Sequence, residues 1–333
     1  MVKKKCIKVR KSEAEKMRRK LEAKNLINKD YCVSSDDEYV YFPVKGSTDR
    51  TEVIEREVRE KNRKPKSLKD FLEGKVSEEE MENLVTSFDL IGDIAVIEIP
   101  SELEDKEGLI GKAIMTVHPS IKTVCKRKSQ TMGEYRIRPV EVIGGENRTE
   151  TTHSENGVKI KLDLNKTYFN SRMCNERKIV ADKVEEGENI GYFFAGVGPF
   201  ALVIVKENPS VNITAVELNP GAYHYLKENI LLNKFSRSIK PIQGDVRELE
   251  GFDFDRVIMP LPLSSDSFID SVMRNTHEGS VVHYYSVGEQ PDYFEGPIQE
   301  LKEKIGEFRV LDKRKVLSYA PGKKEVCIDI ELV

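Results

Sequence analysis

Apolar residues recur in short runs along the C-terminal half of the chain. They fall at Ile190–Phe194, Asn212–Leu218, Ile239–Ile242, Phe254–Met259, Ser280–Ser286, Phe308–Tyr319 and Val326–Leu332. Runs of this length, bounded by turn residues, predict strands, and the stretches between the first six have helical spacing. Strand and helix in alternation predict a doubly wound α/β domain over residues 166–333. Only Ala320–Lys324 separates the last two strands, so they are expected as an antiparallel hairpin closing the sheet edge.

The pattern changes upstream. Residues 70–165 mix helical spacing (Ser77–Thr86, Glu102–Val117) with strand patterns at Ile91–Ile99, Thr123–Lys126 and Tyr135–Ile143. The last alternates, which puts Arg136 and Arg138 on the face opposite Ile137. Glu155-Asn156-Gly157 between Thr149–His153 and Val158–Leu164 predicts a hairpin. This region is expected as an α+β domain. Residues 1–63 read as a small α/β module. It has strands at Cys6–Val9 and Glu38–Val44, a basic helix to about Lys24 opened by a Ser12-x-x-Glu15 capping box, and a second helix at Thr51–Lys61. The basic, proline-containing stretch Asn62–Lys69, centred on 64–69, reads as the linker between the two.

Composition adds a partner class. The net charge is −3, yet residues 1–20 carry ten Lys/Arg against two Glu, and Arg59–Lys69 and Lys122–Arg138 each carry six against one. Three basic segments on a near-neutral chain point to patches for a polyanion, or to solvated faces of a Lys/Glu-rich protein. The five cysteines are scattered without a C-x-x-C pair, which suits a reducing cytosol and gives no zinc pattern. No apolar run approaches a membrane span and the N-terminus is too charged for a signal peptide, so a cytoplasmic protein without membrane attachment is expected. The histidines have no ligand spacing, and no metal site is expected.

The chemistry centres on Asn189–Phe200, N-I-G-Y-F-F-A-G-V-G-P-F. A strand that breaks at Ala195, Gly196 and Gly198 and restarts as a helix at Pro199 lets a nucleotide-like ligand approach bare backbone. Gly196-x-Gly198-x-x-Ala201, with Glu217 ending the next strand, satisfies a dinucleotide fingerprint, so an NAD enzyme is one reading. Pro199 beside the second glycine, Gly244-Asp245 after the third strand, Pro260-Leu261-Pro262 after the fourth and the terminal hairpin favour a methyl-donor site instead. Asn219-Pro220 is expected as a helix start.

A series of ordered motifs then becomes specific. Arg136-Ile-Arg138, Gly145-Glu-Asn-Arg148-Thr149, His153-x-Glu-Asn-Gly157, Tyr168-Phe-Asn-x-Arg172-x-x-x-Glu176-Arg177, Phe194-Ala-Gly-Val-Gly-Pro-Phe200, Glu217-Leu-Asn-Pro220, Gly244-Asp-Val-Arg247 and His283-Tyr-Tyr285 follow in order. Over about residues 70–333 the chain resembles the archaeal and eukaryotic tRNA (guanine-37, N1) methyltransferases. Residues 1–63 resemble more loosely that family's N-terminal domain, which contacts the outer corner of tRNA. The resemblance implies a class I, Rossmann-like methyltransferase that uses S-adenosyl-L-methionine, acts as a monomer and binds tRNA at the anticodon loop and outer corner. It implies Glu176 as general base and Arg136 as stabiliser of guanine O6, with Tyr168, Arg172, Pro260, Leu261 and Pro262 lining the base pocket. It also implies Phe194, Ala195, Gly196, Gly198, Glu217, Leu218, Asp245 and Val246 around the methyl donor, and Lys126, Arg127, Lys128, Arg138 and Arg148 on tRNA. The alternatives from the residues alone are that Glu176 is a surface acid paired with Arg172 and that Arg136 is one more phosphate contact.

Two positions depart from the family pattern. Tyr192 stands where an acid usually precedes F-A-G, and Pro260 replaces an Asn that positions guanine. The P-L-P ending is similar to an archaeal subgroup linked to wyosine biosynthesis, some of whose members methylate C7 of 4-demethylwyosine at the same nucleotide, alone or after N1 of guanosine. A 4-demethylwyosine enzyme only, and a non-catalytic tRNA-binding relative, are the other readings.

Overall fold

The computed structural model describes residues 1–46, 52–60, 65–128, 135–263 and 265–333. The chain divides into two compact units, Met1–Asp70 and Phe71–Val333.

In the first unit β1 (Val2–Arg10), α1 (Ala14–Ala23), β2 (Ser34–Ser35), β3 (Tyr39–Pro43) and β4 (Val53–Val58) form an antiparallel sheet of order β2-β3-β1-β4 with one helix. Ile7, Val9, Leu21, Ile27, Phe42 and Val44 are its core. The helix expected at Thr51–Lys61 is a strand where described. Its Glu55 and Glu57 sit opposite Lys5 and Lys3 of β1, and such cross-strand charge pairs override the helix preference of Glu and Arg. The expected Ser12 capping box is also absent. Lys11–Glu13 is a 3-10 turn, and α1 starts at Ala14 without a side-chain cap.

α2 (Leu68–Leu72) spans the boundary between the two units, and α3 (Glu78–Glu82) follows in the second. Ser77 and Glu80 cap α3 reciprocally, so a capping box does occur, but here. The end of the expected linker is therefore helical; residues 61–64 lie outside the described residues. Next come β5 (Phe88–Ile91), β6 (Ile94–Ile97), α4 (Glu107–Val117), β7 (Thr123–Arg127) and β8 (Val140–Gly145), a sheet of order β5-β6-β7-β8 in which only β6 and β7 run parallel. A turn at Gly92-Asp93 splits the strand expected over Ile91–Ile99. The strand expected from Tyr135 begins only at Val140, because Arg136 takes a left-handed turn at φ 53°.

β9 (Glu150–Glu155) and β10 (Val158–Asp163) form the expected hairpin. Asn156 and Gly157 both have positive φ, 42° and 74°, the geometry an Asn-Gly turn needs. The hairpin leads through α5 (Cys174–Ala181) into the large sheet. That sheet comprises β11 (Asn189–Phe193), α6 (Pro199–Glu207), β12 (Asn212–Glu217), α7 (Pro220–Leu232), β13 (Ile239–Gln243), β14 (Phe254–Met259), α8 (Ile269–Met273), β15 (Thr276–Glu289), α9 (Glu295–Ile305), β16 (Phe308–Ala320) and β17 (Lys323–Leu332). Its order is β13-β12-β11-β14-β15-β17-β16, with β17 antiparallel between β15 and β16. Only a 3-10 turn, Val246–Glu248, stands between β13 and β14, where a longer helix was expected. Both faces are covered, which is why the central strands are nearly continuous apolar runs. The chain leaves β11 towards β12 and β13, then returns to β14 on the other side of β11. This reversal opens a crevice at the carboxyl ends of β11 and β14, the position where such sheets bind ligands.

Candidate active site

The turn after β11 is built from its own hydrogen bonds. Ala195 N–H donates to Val216 O (2.9 Å), Gly198 N–H to Ala195 O (2.9 Å) and Gly196 N–H to Glu217 Oε2 (2.6 Å). Glu217 Oε1 accepts from Asn219 N–H (2.7 Å), so one carboxylate clips the glycine turn to the end of β12. Burial raises the Glu217 carboxyl above its ordinary range, and these backbone donors offset that only in part. Gly198 sits at φ 91°, a left-handed conformation that favours glycine, and a Cβ there would press on the Leu226 side chain, 2.6 Å from Cδ1. Pro199 is the first residue of α6. The N–H groups of Gly196 and Gly198 are thus spent inside the protein and Pro199 has none, which disfavours the dinucleotide reading.

The face towards the crevice is open. A Cβ on Gly196 would meet only Tyr168 O, at 3.8 Å, and one on Gly244 nothing within 4 Å. Leu218 is 37% exposed beside them, Val246 is buried beneath, and Phe194 packs edge-on to Phe268 at 4.7 Å. An acidic anchor, bare backbone and an apolar wall fit an adenosine-like group without phosphates. Asp245 caps the 3-10 turn and accepts from the Arg247 N–H (2.8 Å) and its guanidinium, which holds its carboxyl below the usual range. Asn219 takes the expected cap role: Oδ1 accepts from Gly221 N–H (2.8 Å), ahead of Pro220.

Across the crevice the structure gathers residues far apart in sequence. The Arg136 guanidinium donates to Leu263 O (2.7 Å), which joins it to the turn Pro260-Leu261-Pro262 after β14. Arg136 is half-buried, and burial lowers its pKa. Its φ of 53° is strained for a non-glycine residue, at about 1–3 kcal/mol. The Arg138 guanidinium lies 5.8 Å from the Tyr168 ring centroid, and the Tyr168 carbonyl faces Gly196. Tyr168 therefore links the base-pocket candidates to the glycine turn.

Glu176 lies in the first turn of α5 and is 5% exposed. It does not pair with Arg172, which instead meets Asp89 (2.7 Å). Its partners are Tyr285 on β15 and Arg314 on β16, each at 2.6 Å. Glu325 on β17 is half-buried and interacts electrostatically with Glu176, Arg136 and Arg138. Sequence reading missed Arg314, Glu325 and the role of Tyr285. The one local signal is polar residues breaking the apolar rhythm of β15–β17, as in Val326-Cys-Ile-Asp-Ile330.

The basic residues assigned to tRNA are not a row of free cations. Lys126 pairs with Glu107 and Glu141, Arg127 with Asp89, Lys128 with Glu141 (3.3 Å), and Arg148 with Asp93 and Glu146 (both 2.6 Å). Within the expected ridge Lys126, Arg127 and Lys128 are ion-paired because acids of β5, α4 and β8 lie alongside; residues 129–134 of the ridge lie outside the described residues. Tyr192 is fully buried and packs edge-on to Phe200 at 5.7 Å, so it belongs to the core between β11 and α6. Among the described residues, His283, Cys327 and Asp329 bring donor atoms within 4.8 Å of one another. Arg256, Lys183 and Arg314 already bond this His and Asp, so the group reads as a charge network. Among the described residues no helix is long and apolar enough to cross a membrane.

The reversed terminal hairpin on a doubly wound sheet, with a phosphate-free nucleoside crevice at its switch point, places the protein in the Rossmann-like methyltransferase class. Comparison with known proteins makes this particular. The TRM5/TYW2 methyltransferase domain matches residues 151–311, the TYW2 N-terminal domain residues 68–149 and the tRNA methyltransferase 5 N-terminal domain residues 6–53. The chain is 38% identical over 331 residues to the tRNA (guanine(37)-N(1))-methyltransferase Trm5b of Pyrococcus abyssi, covering 98% of each. It is similar to the solved complex of aTrm5 and tRNALeu, with a TM-score of 0.80 at 36% identity over 98% of this chain and 99% of that one. Methanocaldococcus jannaschii Trm5 in complex with adenosine gives a TM-score of 0.69 at 34% identity, covering 98% and 99%. The chain belongs to the TRM5/TYW2 methyltransferase family.

Proposed function

We propose that the protein transfers a methyl group from S-adenosyl-L-methionine to nucleotide 37 of tRNA, at N1 of guanosine. The observation that carries this is the convergence of Arg136, the Pro260–Pro262 turn and Tyr168 on the glycine turn, within a chain of this family. The methyl donor supplies an electrophilic methyl carbon on a sulfonium. Glu217 takes its ribose hydroxyls, Asp245 the adenine amino group, and Phe194, Ala195, Gly196, Gly198, Leu218 and Val246 shape the cleft. Asp245 must share its oxygens with Arg247 in that role.

Guanine N1 carries a proton at neutral pH and is a poor nucleophile until it leaves. Glu176 accepts that proton, and a positioned base of this kind contributes ~10²–10⁴-fold. As the proton leaves N1, negative charge gathers on O6; N1 then takes the methyl group that S-adenosyl-L-methionine would supply, its bond to sulfur breaking to leave S-adenosyl-L-homocysteine. Arg136 stabilises that charge, as a preorganised oxyanion donor does. Tyr168 and Arg172 line the base pocket. The anticodon loop is single-stranded, so its base enters the pocket at less cost than a paired base. Lys126, Arg127, Lys128, Arg138 and Arg148 meet phosphates by exchanging their acidic partners, and residues 1–63 meet the outer corner of tRNA. The protein acts in the cytoplasm as a monomer.

The apolar Pro260-Leu261-Pro262 turn favours a second substrate, 4-demethylwyosine, whose C7 is a carbon nucleophile on a larger tricycle. The test is incubation with labelled methyl donor and tRNA bearing either guanosine or 4-demethylwyosine at position 37, followed by nucleoside identification. N1-methylguanosine is the expected product, with C7 methylation as the second. No transfer to either tRNA, with the methyl donor bound, would leave a tRNA-binding relative without catalysis. For Glu176→Gln a loss of N1 transfer of ~100-fold or more is expected.

A further inference from the structure

The two oxygens of Glu176 are not equivalent. Oε1 accepts from Tyr285 O–H (2.6 Å), Arg314 Nη2 (2.6 Å) and Arg314 Nε (3.0 Å). Among the described residues, Oε2 shares only that Nε, at 3.1 Å. The opposite edge of the Arg314 guanidinium, Nη1, donates to Asp329 Oδ2 (2.7 Å), which Lys183 Nζ also meets (2.6 Å). Asp329 Oδ1 lies 2.7 Å from His283 Nδ1, and His283 Nε2 lies 2.9 Å from Arg256 Nη1. Arg256 then grips Glu188 with two bonds of 2.7 Å.

The direction of each bond is fixed by chemistry. A guanidinium only donates, so His283 Nε2 accepts from Arg256 and Nδ1 carries the hydrogen given to Asp329. The imidazole is neutral, and its burial between Arg256 and Arg314 lowers its pKa. Arg256 and Arg314 both donate outwards and neither gives up a proton, so the chain cannot conduct one. It is a clamp, not a wire.

We propose that Arg314 and Tyr285 are positioning residues for the methyl-transfer base: they engage Oε1 of Glu176 and present Oε2 as the atom that accepts the N1 proton, while Asp329 holds Arg314 from behind. This rests on the reading of Glu176 as the base. When Glu176 takes the N1 proton, Asp329 still satisfies the guanidinium, so the clamp stays in place through the step. The titratable and charged groups facing Glu176 are Tyr285 from β15, Arg314 from β16, and Cys327 and Glu325 from β17.

The test is the pH profile of single-turnover N1 transfer to guanosine-37 tRNA at saturating S-adenosyl-L-methionine. It compares the whole chain with its Tyr285→Phe, Arg314→Gln, Arg314→Lys and Glu176→Gln variants. Losing a donor or the cation raises the pH at which the base is ionised, so the acidic limb moves up. For Tyr285→Phe a rate ~3–10-fold lower at pH 6 and within about twofold at pH 8.5 is expected. Arg314→Gln should move the limb further, by roughly one pH unit or more, and Arg314→Lys should bring it part of the way back. A merely structural role would lower the rate equally at every pH. An acidic limb unmoved in Tyr285→Phe overturns the proposal, and that variant decides alone if Arg314→Gln fails to fold. Full activity in Glu176→Gln sinks the base assignment itself. An inactive Glu176→Gln with unmoved limbs removes only the positioning role.

Discussion

Glu325 shows how one side chain couples the target pocket to pH. Desolvation first, and the charge of Glu176 second, raise its carboxyl from 4.5 to about 7, against the pull of Arg136 and Arg138. The folded protein therefore keeps a proton that the unfolded chain releases between those values. That linkage adds stability that is fully present below about 4.5 and is lost as pH rises through about 7. Glu325→Gln should flatten this part of the stability profile. The check is the urea midpoint at pH 5.5 and at pH 8: the wild type should lose more between the two than the variant, and equal losses would refute it. Gly198 makes a prediction of another kind. Alanine at φ 91°, with its Cβ against Leu226, should cost about 1–2 kcal/mol from the backbone conformation alone. Denaturant unfolding of Gly198→Ala measures this, and no loss would show that the turn relaxes freely. The glycine turn and Glu217 were legible in the sequence because turn chemistry is local. Arg314 was not, because it lies 138 residues from the carboxylate it binds.

At the scale of elements, a pair of asparagines fastens the hairpin to the methyltransferase sheet. Asn229 on α7 and Asn233 at its C-cap, four apart, face Lys161 and Lys159, two apart on β10. Four helical residues rise about 6 Å and two strand residues about 6.6 Å, so each amide meets one backbone position. Asn229 Oδ1 accepts from Lys161 N–H (2.7 Å), and its Nδ2 donates to Lys161 O and to Val197 O (both 2.9 Å). Asn233 repeats the first two bonds at Lys159 (2.9 and 2.7 Å) in an exposed setting. Asn229 is fully buried, so Asn229→Ala strands three backbone groups and should cost about 2–4 kcal/mol, whereas Asn233→Ala should cost below about 1 kcal/mol. Because Val197 belongs to the glycine turn, Asn229→Ala should also weaken S-adenosyl-L-methionine in calorimetric titration, and Asn233→Ala should not. Equal effects of the two changes would show that burial is not what matters. The elements themselves were legible to different degrees. The strands of the large sheet follow their apolar runs, since both faces are covered. The Val53–Val58 strand was not, because half-exposed alternation with Glu and Arg reads as a helix until the lysines of β1 are placed opposite.

At the scale of the whole molecule, Met1–Asp70 and Phe71–Val333 are separate compact units with separate cores, one built on Ile7, Leu21 and Phe42 and the other around the large sheet. The charge of the first unit is sorted by its fold. Lys3 and Lys5 are matched by Glu57 and Glu55, and Arg18 and Arg19 by Glu22 and Glu15. Lys4 and Lys8 instead lie over the rings of Tyr31 and Tyr39, at 5.0 and 4.3 Å. Lysines on aromatic rings present an ammonium beside a flat apolar surface, a combination suited to a polyanion with exposed sugars and bases. If this unit neutralises phosphates and the second unit contains the whole methyl-donor site, the two activities should separate. Removal of residues 1–70 should leave calorimetric affinity for S-adenosyl-L-methionine unchanged. It should weaken tRNA binding and reduce the slope of log affinity against log salt by roughly 0.7–0.9 for each phosphate that the first unit neutralises. A truncated chain with the full salt slope would show that the first unit makes no ionic contact with tRNA. One that no longer binds the methyl donor would show that the second unit does not hold the site alone.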